Sequence, residues 1–225
     1  MLQCVTNWAK SIGITKVAVN TPATCYNPQT NALLSNSYIS EGFSVTTSIS
    51  NHYIPVCGTM YEKLISSSEN RRLRKCVSAG FVCKIWEAPN VNVIYSFLTF
   101  CRKQKGYSLS ISKNQLSELI DHFPEQLIVF ASIKEDQIVS LSVTVRVTEG
   151  ILYNFLSASL PDYATFSPSV LVLKTIYNYC QKEKISVLDL GSSLDYQGKE
   201  KESLIRFKEN MGGNVTCKVS YGKVL

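Results

Sequence analysis

The sequence predicts an α/β protein in which helices flank a mixed β-sheet. Apolar residues recur at helical spacing in some segments, and other segments are short runs in which every second residue is apolar. The region from residue 151 to residue 221 reads strand, loop, capped helix, strand, polar loop, helix, strand. Open α/β sheets bind ligands where strand ends meet helix N-termini, so this region is the first candidate for function.

Length and composition limit the number of domains and the class of protein. The 225 residues suffice for one large or two small domains, and 45% hydrophobic with 18% charged residues is typical of a globular protein. No apolar run approaches the ~20 residues that a membrane span needs. The N-terminus lacks the basic-then-apolar pattern of a signal peptide. A soluble, cytoplasmic protein is expected.

Cysteine and charge patterns leave alternatives open. The eight cysteines form no C-x-x-C pair, and their spacing does not predict a metal site. Buried free thiols are the expectation. The formal charge of +6 is densest in two runs, residues 71–75 and 102–105. Each run could receive phosphates from a nucleotide or an RNA, or form a solvated helix face near a helix C-terminus.

Two units follow from the order of predicted elements. Residues 88–225 read α-α-β-β-β-α-β-α-β, and residues 1–87 read α-β-(α)-β-α-β, like the same pattern with its beginning missing. We therefore expect a partial domain over 1–87 and a complete domain over 88–225. The predicted helices include 2–12, 32–38 and 60–78, and the predicted strands include 14–19, 43–56, 81–86, 127–133, 137–147, 151–158, 187–190 and 215–221.

The strand over 137–147 has the clearest period of two. Its apolar residues are predicted to be buried under helices, and its polar residues to be more accessible or to line a groove. The apolar set is Val139, Leu141, Val143 and Val145, and the polar set is Ser140, Ser142 and Thr144.

This order and three short motifs resemble the GNAT acyltransferase fold, in particular its FemABX/BioF2-like branch. The motifs are Phe166-Ser167-Pro168, Asp189-Leu190-Gly191, and Phe207-Lys208 four residues before Gly212; residues 66–75 followed by Gly80 resemble the end of that branch's first domain. Two features depart from the pattern. The loop that grips the pyrophosphate in ordinary GNAT enzymes is absent after Ala158, and the initial strands of the first domain are missing, which leaves a sheet edge for an oligomeric partner to cover.

The resemblance implies a bacterial, cytoplasmic N-acyltransferase with no permanently bound cofactor. Its co-substrate would be acyl-CoA or aminoacyl-tRNA, and its acceptor an amine on a small molecule or a cell-envelope precursor. The alternative is a non-catalytic GNAT-like protein that binds a nucleotide or an RNA through the basic run Arg71, Arg72, Arg74 and Lys75.

Two residues are catalytic candidates. Lys208 is expected on the shoulder of the apolar stripe of its helix, where its ammonium could meet a phosphate or an oxyanion; the alternative is a lysine whose stem only covers apolar surface. The resembling family places an important lysine in this motif. Tyr163 could donate a proton to a leaving group.

The remaining candidates would bind substrates. Ser167 and Ser169 open a helix whose free N–H groups favour a cofactor phosphate, although Ser167 could simply cap the helix. Arg206 is a second cation for the cofactor, but its position opposite Leu204 favours solvent. Three further residues could hold the acceptor amine or be satisfied locally: Asp162, Asp189 and Ser192.

Overall fold

A computed structural model describes residues 2–195 and 197–225. The helices are α1 (Leu2–Ser11), α2 (Pro28–Ser40), α3 (Ser67–Ser78), α4 (Val91–Lys103), α5 (Lys113–His122), α6 (Pro168–Lys182) and α7 (Glu202–Asn210). The strands are β1 (Lys16–Asn20), β2 (Ser44–Pro55), β3 (Val82–Ile85), β4 (Leu127–Lys134), β5 (Gln137–Thr148), β6 (Ile151–Ser159), β7 (Val187–Ser192) and β8 (Asn214–Val224). Short 3₁₀ helices cover Thr24–Tyr26, Tyr61–Lys63 and Pro161–Tyr163.

The eight strands form one mixed sheet in the order β1-β8-β2-β7-β6-β5-β4-β3. Neighbours are antiparallel except for β6 and β7, which are parallel. β2 lies between β7 and β8, so strands from residues 1–87 and 88–225 are interleaved at one end of the sheet. The mixed α/β class is confirmed. The division into units at residue 87 stays a prediction.

Local capping explains where the helices begin. Ser112 and Gln115 form a reciprocal capping box at the start of α5. The Ser66 hydroxyl accepts the Glu69 N–H, and α3 therefore begins at Ser67. The expected helix over 60–78 is thus too long, because its first turn is a separate 3₁₀ helix.

Two apolar clusters lie on opposite faces of the sheet. α6 covers one face together with α3, and α4 with α5 covers the other. The alternation expected in β5 is broken, because the pairing of β4 with β5 slips and leaves Val139 as an extra residue. Val139 consequently packs under α6, whereas Leu141 and Val143 pack under α4 and α5.

The polar residues of β5 are buried, contrary to the greater accessibility expected for them. Ser140, Ser142 and Thr144 are at most 2% exposed. Ser140 and Ser142 do line a cavity, in agreement with the expected groove. In the described part of the chain the longest helix, α6, has 15 residues, and none of the helices has the length and apolarity needed to cross a bilayer.

Candidate functional site

The candidate site is a cavity that opens where β6 and β7 diverge. The two parallel strands pair only through Ile151–Tyr153 and Val187–Asp189. Beyond these residues β6 continues to Ser159 beside β5, and β7 turns away from it. The gap forms a cavity of about 570 Å³. Its size suits a small-molecule substrate or part of a larger one.

A β-bulge shapes the β6 wall of this cavity. Asn154 pairs with Thr144 and Leu156 pairs with Val143, which leaves Phe155 as the extra residue. Bulges often occur beside functional sites, where they redirect side chains. The Ser142 hydroxyl donates to the Asn154 amide oxygen over 2.7 Å. The Asn154 amide N–H groups therefore remain for a ligand.

Lys208 of α7 forms the opposite wall and is 6% exposed. Its Nζ donates to the carbonyls of Gly191 and Ser192, each over 2.7 Å. An ammonium group has three N–H donors, so one is left for a ligand in the cavity. Burial lowers the pKa of Lys208 to about 8, and the charge of Asp189 acts in the opposite direction.

The start of α6 also faces the cavity, and its geometry differs from the expected cap. Ser167 has a φ of 52°, in the left-handed region, and its side chain makes no capping hydrogen bond. Its hydroxyl lies 3.4 Å from that of Ser169. The first turn of α6 thus lacks a side-chain cap, a state that favours an anionic ligand.

The cavity lining is electropositive. Arg102, in the last turn of α4, and Lys105, two residues after that helix, join Lys208 in the wall, and among the described residues no Asp or Glu lines it. Two interpretations of the run 102–105 were left open, phosphate binding and a solvated helix face. Arg102 and Lys105 line the cavity, which favours the first, while Lys103 is exposed and does not line it.

Asp189 lies beside the cavity and does not line it. Its carboxylate accepts hydrogen bonds from Tyr26, Asn51 and the N–H of Gly191, each over 2.7 Å. One of these donors is a neighbouring backbone N–H, as in the alternative weighed for Asp189, and the other two are side chains distant in sequence. Ser192 lines the cavity, and its carbonyl holds Lys208.

Besides Asp189, three predicted site residues lie outside the cavity lining. The Tyr163 hydroxyl donates to Gln137 over 3.2 Å, and its ring packs edge-on against Phe81. Asp162 is exposed in the preceding 3₁₀ turn. Arg206 is exposed and pairs with Glu202 one turn earlier on α7, which agrees with the solvated alternative.

Sequence reasoning missed Asn154, Tyr26 and Asn51. No local pattern marks Tyr26 or Asn51, because they contact Asp189 from 163 and 138 residues away. The only signal was positional: Asn154 interrupts an otherwise apolar stretch of β6.

Comparison with known protein families finds no matching family, and comparison with curated sequences finds no match. Solved structures do match. FemX superposes with a TM-score of 0.76 at 12% identity, over 100% of this chain and 75% of FemX. The fold is therefore GNAT-like and similar to that of FemX.

Two further structures share this GNAT-like fold. The C-terminal domain of a protein from Agrobacterium fabrum, named as a lysylphosphatidylglycerol synthetase, matches with a TM-score of 0.66 at 11% identity, over 98% of this chain and 72% of that one. A tandem GNAT protein from the clavulanic acid biosynthesis pathway matches with a TM-score of 0.56 at 7% identity, over 99% of this chain and 68% of that one. The resemblance drawn from the sequence is thereby confirmed at the level of the fold.

Proposed function

We propose that this chain transfers an acyl or aminoacyl group to an amine. The donor is an acyl-CoA or an aminoacyl-tRNA, and the acceptor is a small molecule or a cell-envelope precursor. The observation that carries the proposal is the cavity between the diverging β6 and β7, with the third N–H of the Lys208 ammonium left for a ligand.

The cavity can support this reaction without a covalent enzyme intermediate. The acceptor nitrogen attacks the carbonyl carbon of the thioester or ester, a C–N bond forms, and the carbonyl oxygen becomes an oxyanion. The C–S or C–O bond then breaks, the leaving sulfur or oxygen takes up a proton, and the nitrogen loses one. Lys208 and the Asn154 amide are donors in the wall that could stabilise the oxyanion.

The acceptor amine must lose a proton before its nitrogen can attack the carbonyl carbon, so the site must favour the neutral amine. Among the described residues, neither a carboxylate nor an imidazole lines the cavity. A cationic lining disfavours a bound ammonium and so lowers the pKa of the acceptor amine. In our proposal the amine therefore enters its neutral form by losing its proton to solvent.

The same lining supports a donor that carries phosphates. Arg102, Lys105 and the uncapped start of α6 would all attract a phosphate group. The names of the neighbours refer to a lysyl product and to AcCoA, so they are compatible with either donor. No side chain is assigned to protonate the leaving group, because the Tyr163 hydroxyl is engaged with Gln137 outside the cavity lining.

The rival function, RNA binding through α3, has weaker support. Arg72 is paired with Glu69, and the Lys75 ammonium lies 4.5 Å from the centre of the Phe166 ring. Two of the four cations in this run are thus engaged within the chain, and Arg71 and Arg74 are left exposed.

A binding titration tests the proposal. We expect CoA to bind the wild-type chain in isothermal titration calorimetry, and Arg102→Ala to weaken binding by about tenfold through loss of one charge-assisted contact. Lys103→Ala is the matched control, because Lys103 is an exposed neighbour on α4 that does not line the cavity. Equal weakening by both variants would contradict a phosphate contact at Arg102.

Short RNA and aminoacyl-tRNA serve as the second arm of this experiment. Binding of RNA that is lost in Arg71→Ala and Arg74→Ala, with no binding of CoA or aminoacyl-tRNA to the cavity, would favour the rival function. Release of a labelled acyl group to an amine acceptor, lost in Lys208→Ala, would favour the transferase.

A further inference from the structure

Asp189 is a buried carboxylate held by three donors from different parts of the chain. Its side chain is fully buried. Tyr26 Oη donates to Oδ2, and Asn51 Nδ2 and the Gly191 N–H donate to Oδ1, each over 2.7 Å. Charge-assisted hydrogen bonds of this length are strong, so the carboxylate is firmly oriented.

Gly191 links this carboxylate to the cavity. Its N–H donates to Asp189, and its carbonyl accepts from the Lys208 ammonium over 2.7 Å. Its φ of 77° lies in the left-handed region, and a Cβ there would lie 3.2 Å from the Tyr153 ring. The position of the Gly191 carbonyl, and of the ammonium that it holds, therefore depends on the carboxylate that fixes this turn.

Two of the donors come from the first 87 residues. Tyr26 belongs to the 3₁₀ helix Thr24–Tyr26, and Asn51 belongs to β2, which lies beside β7. Neither side chain lines the cavity. We infer that Asp189, oriented by Tyr26 and Asn51, is a positioning residue that fixes the Lys208 ammonium for acyl transfer. The catalytic consequence rests on the proposed function; the positioning itself does not.

The charges around Lys208 make this inference measurable. The carboxylate of Asp189 favours the ammonium form, and burial together with Lys218 of β8 opposes it. His52 of β2 is a further titratable neighbour. Its pKa is lowered by burial and by Lys208, while Glu209 and Glu200 act in the opposite direction, and its Nδ1 lies 3.3 Å from the Ser193 hydroxyl. Removal of the Asp189 charge should make Lys208 lose its proton at lower pH.

The test follows the titration of Lys208 by NMR of the full chain labelled in its lysine side chains, with the resonance assigned through Lys208→Arg. Asp189→Asn should lower the titration midpoint by at least about one pH unit, the size expected for loss of a nearby opposite charge. Glu209→Gln is the matched control: it removes an exposed acidic charge next to Lys208 in sequence and should leave the midpoint in place. An unchanged midpoint in Asp189→Asn overturns the inference. Since the titration needs no turnover, its outcome is separate from that of the transferase assay.

Tyr26→Phe provides a second variant in case Asp189→Asn does not fold. It removes one hydroxyl and retains the carboxylate charge. Hydrogen exchange of the Gly191 amide should become about tenfold faster, the factor that corresponds to loss of one hydrogen bond, while amides of α4 and α5 keep their protection. Unchanged exchange at Gly191 would show that the first part of the chain does not fix this turn.

Discussion

The two sides of β7 differ in how completely they are paired. On one side β7 meets β6 over three residue pairs and then diverges from it, which opens the cavity. On the other side β2 pairs with β7 from Asn51 to Pro55, along the length of β7 from Ser192 to Val187. The open side carries the Lys208 ammonium with one free donor, and the closed side carries donors that satisfy Asp189.

The Lys208 ammonium can contact a ligand in the cavity, whereas the Asp189 carboxylate is bound by donors of the protein itself. Both side chains are buried near the end of β7, but only the ammonium lines the cavity, where its third N–H can meet a ligand. Contact with the cavity, and not burial alone, therefore distinguishes the functional candidate from its structural neighbour.

The largest effect is expected when residues 1–87, which supply β2 beside β7, are removed. A fragment of residues 88–225 lacks β1 and β2, which flank β8, and lacks β3 beside β4. Four strand edges would lose their partners, one in β7, two in β8 and one in β4, so we expect the fragment to lack a cooperative unfolding transition in circular dichroism. Cooperative unfolding of the fragment would instead support the domain boundary expected near residue 87.

Lys208→Ala, on the cavity side of β7, should strongly reduce catalytic activity. We expect turnover to fall at least about 100-fold, as for loss of an oxyanion donor. The same substitution should lower stability, because the carbonyls of Gly191 and Ser192 would lose their donor. We therefore expect the free energy of unfolding to fall by about 1–3 kcal/mol. Normal turnover in this variant would remove Lys208 from the mechanism.

The pH dependence of turnover should report the same ammonium. Its pKa of about 8 means that Lys208 is charged below this pH and neutral above it. If the charged form is required, turnover falls as pH rises through about 8. Lys208→Arg keeps its charge over this range and should lose the alkaline limb, with lower turnover because a guanidinium has a different shape. An alkaline limb retained in that variant would assign it to another group.

The smallest expected effect is a difference in stability between variants of Ser112 and Ser167, the serines that precede α5 and α6. Ser112→Ala breaks the capping box of α5 and should lower the free energy of unfolding by about 1 kcal/mol. Ser167→Ala removes no capping bond at α6 and should change it by a few tenths at most, within the range of substitutions that break no specific feature. Chemical denaturation of both variants measures the difference. A larger loss at Ser167 would mean that its hydroxyl stabilises the fold.

Much of the fold was readable from local patterns. The strands from 127–133 to 151–158 and the helix beginning at Pro168 lie where periodicity and capping signals placed them. Local signals also indicated that Lys208 lies at the edge of an apolar stripe. Periodicity could not reveal the slip at Val139, because it depends on how β4 pairs with β5.

The site was predicted less completely because most of it is assembled at long range. Arg102 reaches the cavity from α4, and Tyr26 reaches Asp189 from the opposite end of the chain. Local residue types indicate which helix ends can attract anions, but they do not reveal which distant strands meet there. The Ser167 prediction illustrates this: sequence preference favours an N-cap, but the left-handed backbone turns its hydroxyl toward Ser169.

The place of β8 in the sheet has a consequence for biosynthesis. β8 is made last, yet it lies between β1 and β2, which are among the first strands to leave the ribosome. Those two strands remain without their shared neighbour until β8 has been synthesised, and contacts between segments as distant in sequence as Lys16 and Val224 make folding slow. During this interval exposed strand edges can pair with other nascent chains. The pairing of β8 with β1 and β2 is therefore expected to be a late step in folding.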